Sequence, residues 1–157
     1  MGHSNAELIF RFYEAFQRQD IDAMLACYAD DLVFCDPAFG ELRGEAARDM
    51  WRMLVERALD FSLTFGDVGA NGQTGSAKWV ARYKFGPTGR TVVNRIEARF
   101  EFRDGLIARH RDSFDLWRWA SQALGLKGTV LGWTPFVQRA IRAQARKSLE
   151  GFRARRG

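Results

Sequence analysis

Cysteine is scarce in this chain: only Cys27 and Cys35 occur, and they do not form a Cys-x-x-Cys pair. That excludes a disulfide framework and a thiolate metal knuckle, and points to a reduced intracellular protein. Histidine is equally sparse, with His3 and His110 alone. With no repeated ligand spacing, a metal site is not expected, and neither is any other cofactor. No run approaches the ~20 apolar residues of a membrane span. The stretch Met1 to Glu7 turns charged and helical at once instead of opening an apolar signal core, so a cytoplasmic location is expected. There is no phosphate-cradling glycine loop, no nucleotide fingerprint and no nucleophilic Ser or Cys motif.

What the chain has is aromatic mass and a lopsided charge. Its 157 residues make one domain-sized unit, 46% hydrophobic and 13% aromatic, with thirteen Phe and five Trp. This suits a well-filled globular core. The formal charge is +5, yet residues 134–157 hold seven basic residues against one acidic, which is +6. The body is therefore near neutral, and a nucleic-acid partner is not expected.

Ser4-Asn5-Ala6-Glu7 is a capping box, followed by Ile9, Phe12, Tyr13 and Phe16 at helical spacing, so residues 5–18 read as a helix. Asp20 caps a shorter helix running to about Tyr28. Leu32 to Asp36 reads as a short strand that Pro37 stops, and Gly40 to Gly44 as a turn. A third helix follows over residues 45–58, with Ala47, Met50, Trp51, Leu54 and Val55 on one face. Alternation then takes over around Phe61–Phe65, Lys78–Phe85 and Val92–Phe102. Turns at Asn71-Gly72, Pro87 to Gly89 and Asp104-Gly105 divide the region into an antiparallel meander of four strands. A further helix is expected from Leu116 to Leu124. An apolar connection then leads to Thr134 and Pro135, the N-cap and first residue of a basic helix. Helices first and strands after predict an α+β domain whose curved sheet wraps the helices.

Certain residues carry chemistry. Asp36 ends a strand among aromatics, where a carboxylate is costly to ionise unless it is paired or used. His110 and Asp112 are two apart on one strand and so share a face, where they can orient each other and carry a proton. Asn94 is polar on the apolar face of a central strand and needs a partner or a substrate. By facing, Phe12, Tyr13, Tyr28, Trp51, Trp79, Tyr83 and Phe100 line the same interior, although aromatics fill barrels in any case.

The element order and these residues resemble the nuclear transport factor 2-like superfamily, in its SnoaL-like, ketosteroid-isomerase-like branch. The resemblance rests on Phe12-Tyr13-Glu14-Ala15-Phe16, Asp20 to Met24, Tyr28 to Pro37, Gly44, and Phe102 through Asp115, and covers about residues 5–116. It implies a conical half-barrel, a curved mixed or antiparallel sheet around three N-terminal helices, over residues 1–116. Residues 117–157 would form a helical extension packed on the same domain. It places Asp36 at the general-base position of the ketosteroid isomerases. Their oxyanion tyrosine would fall at Phe12 and their protonated aspartate near Ala98, so classical steroid isomerisation is not expected. Arg111-Asp112-Ser113-Phe114-Asp115 is similar to the end strand of limonene epoxide hydrolases, in which the first aspartate lines the pocket. The preceding Arg-x-Asp pair of those enzymes has only Arg95-Ile96-Glu97 as a counterpart, facing the other way.

Together these give an expected function: cofactor-free acid–base chemistry on a small hydrophobic molecule, of the isomerase, cyclase, dehydratase or epoxide-hydrolase type. The alternative is a non-catalytic hydrophobic pocket or a dimerisation module. Pairing into a homodimer through the convex sheet face is expected, using Lys78, Arg82, Arg95 and Arg99 with Glu97 and Glu101. For the basic helix, packing on the barrel or across a dimer is the favoured reading, and resting on an anionic membrane surface is the other.

Overall fold

The fold begins with two constraints that bring distant segments to one place. Gly75 lies so close to the first helix that a Cβ there would meet Ile9 Cδ1 and Phe102 Cζ, each at 2.9 Å. The half-buried guanidinium of Arg48 donates to the carbonyls of Leu25 (3.1 Å), Tyr28 (3.1 Å) and Ala29 (3.0 Å). A computed structural model describes residues 4–156; His3, one of the two histidines, lies outside the described residues. The elements are α1 (Ser4–Gln17), α2 (Ile21–Leu25), β1 (Tyr28–Asp36), β2 (Gly40–Arg43), α3 (Glu45–Glu56) and β3 (Ser62–Ala70). They continue with β4 (Thr74–Phe85), β5 (Arg90–Arg103), β6 (Leu106–Ser113), α4 (Leu116–Leu124), α5 (Leu126–Leu131) and α6 (Pro135–Arg156).

A single six-stranded sheet has the order β2-β1-β6-β5-β4-β3. Every neighbouring pair is antiparallel except β1 and β6, which run parallel, so the sheet is mixed. It is curved and unclosed, and the N-terminal helices fill its concave side. This is the α+β half-barrel the sequence implies. Phe12 and Phe16 of α1 meet Trp51 of α3 at 5.9 and 5.2 Å, and Phe16 and Trp51 meet Trp79 of β4 at 5.4 and 6.5 Å. Burying such rings is the main stabilising contribution, about 1.5–3 kcal/mol for each large side chain.

Three boundaries differ from the sequence reading. The first strand begins at Tyr28 rather than Leu32, and α2 ends at Leu25. Pairing of Tyr28 with Ile107 and the grip of Arg48 on this corner override local helical preference. Next, Gly40 to Arg43 is not only a turn. It is a sixth strand on the sheet's edge, with Phe34 opposite Leu42 and Asp36 opposite Gly40. Pro37 thus opens a hairpin loop instead of ending the pairing.

The third difference is the apolar connection after Gly125, which is a short helix, α5, folded back on α4. Gly125, at φ 71°, ends α4 in a backbone region that suits glycine. Gly128 permits the return, since a Cβ there would stand 1.9 Å from the Ala120 carbonyl oxygen. The last helix starts as the sequence implies, with Thr134 Oγ1 accepting from Val137 N at 3.2 Å. Its far half lies against α3: Leu149 and Phe152 are buried, and Arg153 Nε donates to Asp49 Oδ2 at 3.0 Å. Among the described residues no helix is long and apolar enough to cross a membrane.

Candidate functional site

On β6 the side chains of His110 and Asp112 point the same way, into the concave interior, and both are buried. His110 is surrounded by four rings from four elements. Phe34 of β1 lies 5.2 Å from it, Phe100 of β5 4.6 Å, Phe12 of α1 5.6 Å, and Trp51 of α3 is stacked at 6.1 Å.

Both imidazole nitrogens are engaged. His110 Nε2 lies 2.9 Å from Asp112 Oδ1, and His110 Nδ1 lies 2.7 Å from Tyr28 Oη. A neutral ring with its proton on Nε2 satisfies both contacts, because Nε2–H donates to the carboxylate and the Tyr28 hydroxyl donates to Nδ1. Asp112 Oδ1 also accepts from Trp79 Nε1 at 3.3 Å. Its other oxygen, Oδ2, accepts no hydrogen bond among the described residues and is not sealed from solvent. Both of its hydrogen-bond contacts fall on one oxygen. Asp112 is therefore held rigidly with one oxygen left for something else.

The donors around it are also unusual. Tyr13 Oη and Trp51 Nε1 are buried and form no hydrogen bond among the described residues. Trp51 Nε1 is turned toward the Tyr28 hydroxyl closely enough to lower its pKa, yet short of hydrogen-bond geometry. Burial, reinforced by the negative charge of Asp112, holds the Tyr13 and Tyr28 hydroxyls well above the ordinary tyrosine range. Both remain O–H donors at neutral pH. An unpaired buried donor costs about 1–3 kcal/mol, and Tyr13 places one within the field of a carboxylate that has a free oxygen.

A second group centres on Asp36. Asp36, at the last position of β1, is half-buried, and its Oδ1 accepts from Phe39 N at 2.6 Å across the hairpin loop. Burial pushes its carboxyl up to about 7, against the pull of the Phe39 N–H bond, and the charge of Asp112 adds to the rise. Arg142 of α6 lowers it slightly, and donates from Nε to the Pro37 carbonyl at 3.3 Å. Tyr83, whose hydroxyl accepts from Trp119 Nε1 of α4 at 2.7 Å, is close enough to Asp36 to feel its charge. Elements after residue 116 thus reach the surroundings of Asp36, through Trp119 on Tyr83 and Arg142 on Pro37.

The residues singled out from sequence fall into groups. Tyr28, Trp79, His110 and Asp112 form one hydrogen-bonded chain. Phe12, Trp51 and Phe100 pack on the His110 ring, and Tyr13 stacks on Phe65 at 5.2 Å. Asp36 and Tyr83 lie near each other at the end of β1, linked to Asp112 by charge rather than by a hydrogen bond. Asn94 is buried in β5 opposite Ala81 and makes no side-chain hydrogen bond among the described residues. Trp119 and Arg142 escaped the sequence reading, since nothing in a helical pattern says which distant loop its polar residues will reach. Among the described residues no three of His, Cys, Asp and Glu cluster as metal ligands do.

Residues 9–110 match the SnoaL-like domain, and the chain belongs to that family. Solved structures similar to it include a candidate polyketide cyclase from Xanthomonas campestris pv. campestris, 28% identical, with TM-score 0.64 over 76% of this chain and 96% of that one. An LEH-like epoxide hydrolase from M. tuberculosis is 27% identical, with TM-score 0.66 over 82% and 96% of the two chains. A protein of ketosteroid isomerase-like fold from Catenulispora acidiphila, solved with trimethylamine, shares the fold at 18% identity and TM-score 0.66, over 82% of this chain and 98% of that one. No curated protein matches the chain.

Proposed function

We propose that this protein takes a small, largely apolar organic molecule into the interior of its cone and carries out acid–base chemistry on it without a cofactor. The observation that carries the reading is the buried Asp112, with one oxygen fixed by His110 and Trp79 and the other unengaged. The free oxygen is suited to accept a proton from a water or from an acidic C–H, and the relay through His110 to Tyr28 holds it in place. The Tyr13 hydroxyl is a buried, unpaired O–H donor that feels the charge of Asp112, and it is suited to an oxygen that gains charge. Asp36, with its carboxyl near 7, is poised to act as a base at the end of β1. Opening of an epoxide by an activated water and enolisation of a cyclic ketone both need these parts. The candidate polyketide cyclase and the epoxide hydrolase among similar structures support the same range of chemistry.

A second reading is a hydrophobic-ligand module without catalysis. It is favoured by the sealed His110 ring, whose two nitrogens are already satisfied. Two assays separate them. Limonene oxide is incubated with the protein and diol formation followed by gas chromatography, while solvent deuterium uptake into cyclohexenones is followed by proton NMR. Turnover in either, reduced about a hundredfold or more in Asp112→Asn, supports catalysis. Saturable thermal stabilisation by these molecules with no turnover in either assay would leave only the binding module.

A further inference from the structure

A different surface of the molecule has no part in the chemistry above. The corner where α4, α5 and the start of α6 meet exposes Trp117, Leu126, Val130, Leu131, Trp133 and Phe136, with Leu126 at 78% and Phe136 at 75% exposure. These residues are held together as one surface. Trp117 Nε1 donates to the Thr129 carbonyl at 3.0 Å and Trp133 Nε1 to the Val130 carbonyl at 2.9 Å. Gln138 reaches back to the Gly132 carbonyl at 3.0 Å. Each indole N–H is thus satisfied from within the protein, so the rings offer outward only apolar area. Gly128, packed on the Ala120 carbonyl, lets α5 lie directly against α4.

One acidic residue, Asp115, is exposed at the head of α4, and beyond it the charge is basic. Between Leu116 and Leu149 the chain has no acidic residue and six basic ones: Arg118, Lys127, Arg139, Arg142, Arg146 and Lys147. Two of them are tied down, Arg142 on the Pro37 carbonyl of the β1–β2 loop and Arg146 on the Glu41 carbonyl of β2, while Lys127 and Arg139 are exposed and form no ion pair among the described residues. An apolar surface with tryptophans and a cationic rim is costly in water, and its charge restricts what can cover it. A second copy seated by two-fold symmetry would set cationic rim against cationic rim. An anionic lipid surface supplies both what the rim and what the apolar side chains require.

We propose that the α4–α5–α6 corner docks this protein on anionic membrane. Leu126, Val130, Trp133 and Phe136 enter the headgroup boundary, and Arg118, Lys127 and Arg139 lie at phosphate level. The docked face is the one whose α4 also reaches Tyr83 through Trp119, so a lipophilic molecule leaving the bilayer would arrive beside Tyr83 and Asp36.

The test is co-sedimentation of the full chain with large vesicles of phosphatidylcholine, either alone or with about half phosphatidylglycerol. Binding to the anionic vesicles and not to the neutral ones is expected, with a loss of about tenfold or more when salt rises from about 50 to about 500 mM. The double variant Leu126→Glu/Phe136→Glu changes only exposed side chains and is expected to keep the wild-type thermal midpoint while losing vesicle binding by about tenfold or more. Lys127→Glu/Arg139→Glu is expected to do the same without touching the apolar residues. Three results would each overturn the proposal: a wild-type chain that stays in the supernatant, equal binding to neutral vesicles, or Leu126→Glu/Phe136→Glu variants that convert a dimer to a monomer in light scattering while binding vesicles as before.

Discussion

Arg142 on the last helix donates its Nε–H to the carbonyl of Pro37, the residue that follows Asp36, at 3.3 Å. A segment 105 positions away in sequence thereby steadies the loop on which the most perturbed carboxyl of the site depends. Asp36 takes its surroundings from the domain and its restraint from the C-terminal helix.

That carboxyl makes stability depend on pH. Folded Asp36 titrates near 7, against 3.8 for an ordinary aspartate. Between these values the unfolded chain releases the proton and the folded chain retains it, so this group's contribution is complete below about pH 4 and is lost as pH rises through about 7. The gap corresponds to as much as about 4 kcal/mol. Asp36→Asn is expected to melt higher than wild type at pH 8 and nearly level with it at pH 4, measured by calorimetry. As the proposed base it acts once ionised, so kcat/KM is expected to climb to a plateau above about pH 7.

Removing the Tyr28 hydroxyl strands His110 Nδ1 in a shell of aromatic rings. Tyr28→Phe is expected to cost about 1–3 kcal/mol in denaturant unfolding. It is also expected to move the imidazole resonances of His110, since the tautomer is no longer fixed from both sides. A variant as stable as wild type with unshifted resonances would mean that the relay is not formed in solution.

Adding one methyl group at Gly128 drives α5 off α4, because the Cβ would stand 1.9 Å from the Ala120 oxygen. Gly128→Ala is expected to lose about 1–3 kcal/mol. Limited proteolysis should then cut between residues 125 and 134 before any other site.

On the convex sheet face Lys78, Arg82, Arg95 and Arg99 alternate with Glu97 and Glu101 and stand in solvent. Lys78 approaches Asp67 at 3.8 Å and Glu97 at 4.0 Å within the chain. A homodimer through this face is expected, read as twice the chain mass by light scattering at micromolar concentration. Glu97→Lys/Glu101→Lys is expected to shift it toward monomer. Exposed pairs are individually worth little, so salt alone should weaken the dimer only modestly.

Much of the fold was legible because its signals are local. Period-two alternation gave β3 to β6, and Thr134-Pro135 marked the start of α6. The parity of His110 and Asp112 placed them on one face, and a polar pair there had to be hydrogen-bonded or used. What stayed hidden depends on the third dimension. Tyr28 looked like the end of a helix, because the pairing that makes it a strand residue lies with Ile107. Gly40 to Arg43 looked like a turn because an edge strand of four residues has too little pattern to read. The α5 helix was hidden by its glycines, which discourage a helix locally and permit one only against Ala120.

The parallel pairing of β1 with β6 has a kinetic consequence. The pairs β3–β4, β4–β5 and β5–β6 join strands consecutive in sequence, so short loops can connect them early. β1 must wait for β6, more than seventy residues later, and closing that loop delays its docking. Tyr28 and Asp36 arrive on β1, while His110 and Asp112 arrive on β6. The carboxylates and their relay therefore do not exist on any half-made chain. Amide protection in Tyr28–Asp36 is expected to appear after that of β4 and β5 in pulsed hydrogen exchange, and a ribosome-bound fragment ending before Leu106 would carry every helix of the N-terminal layer and no assembled site.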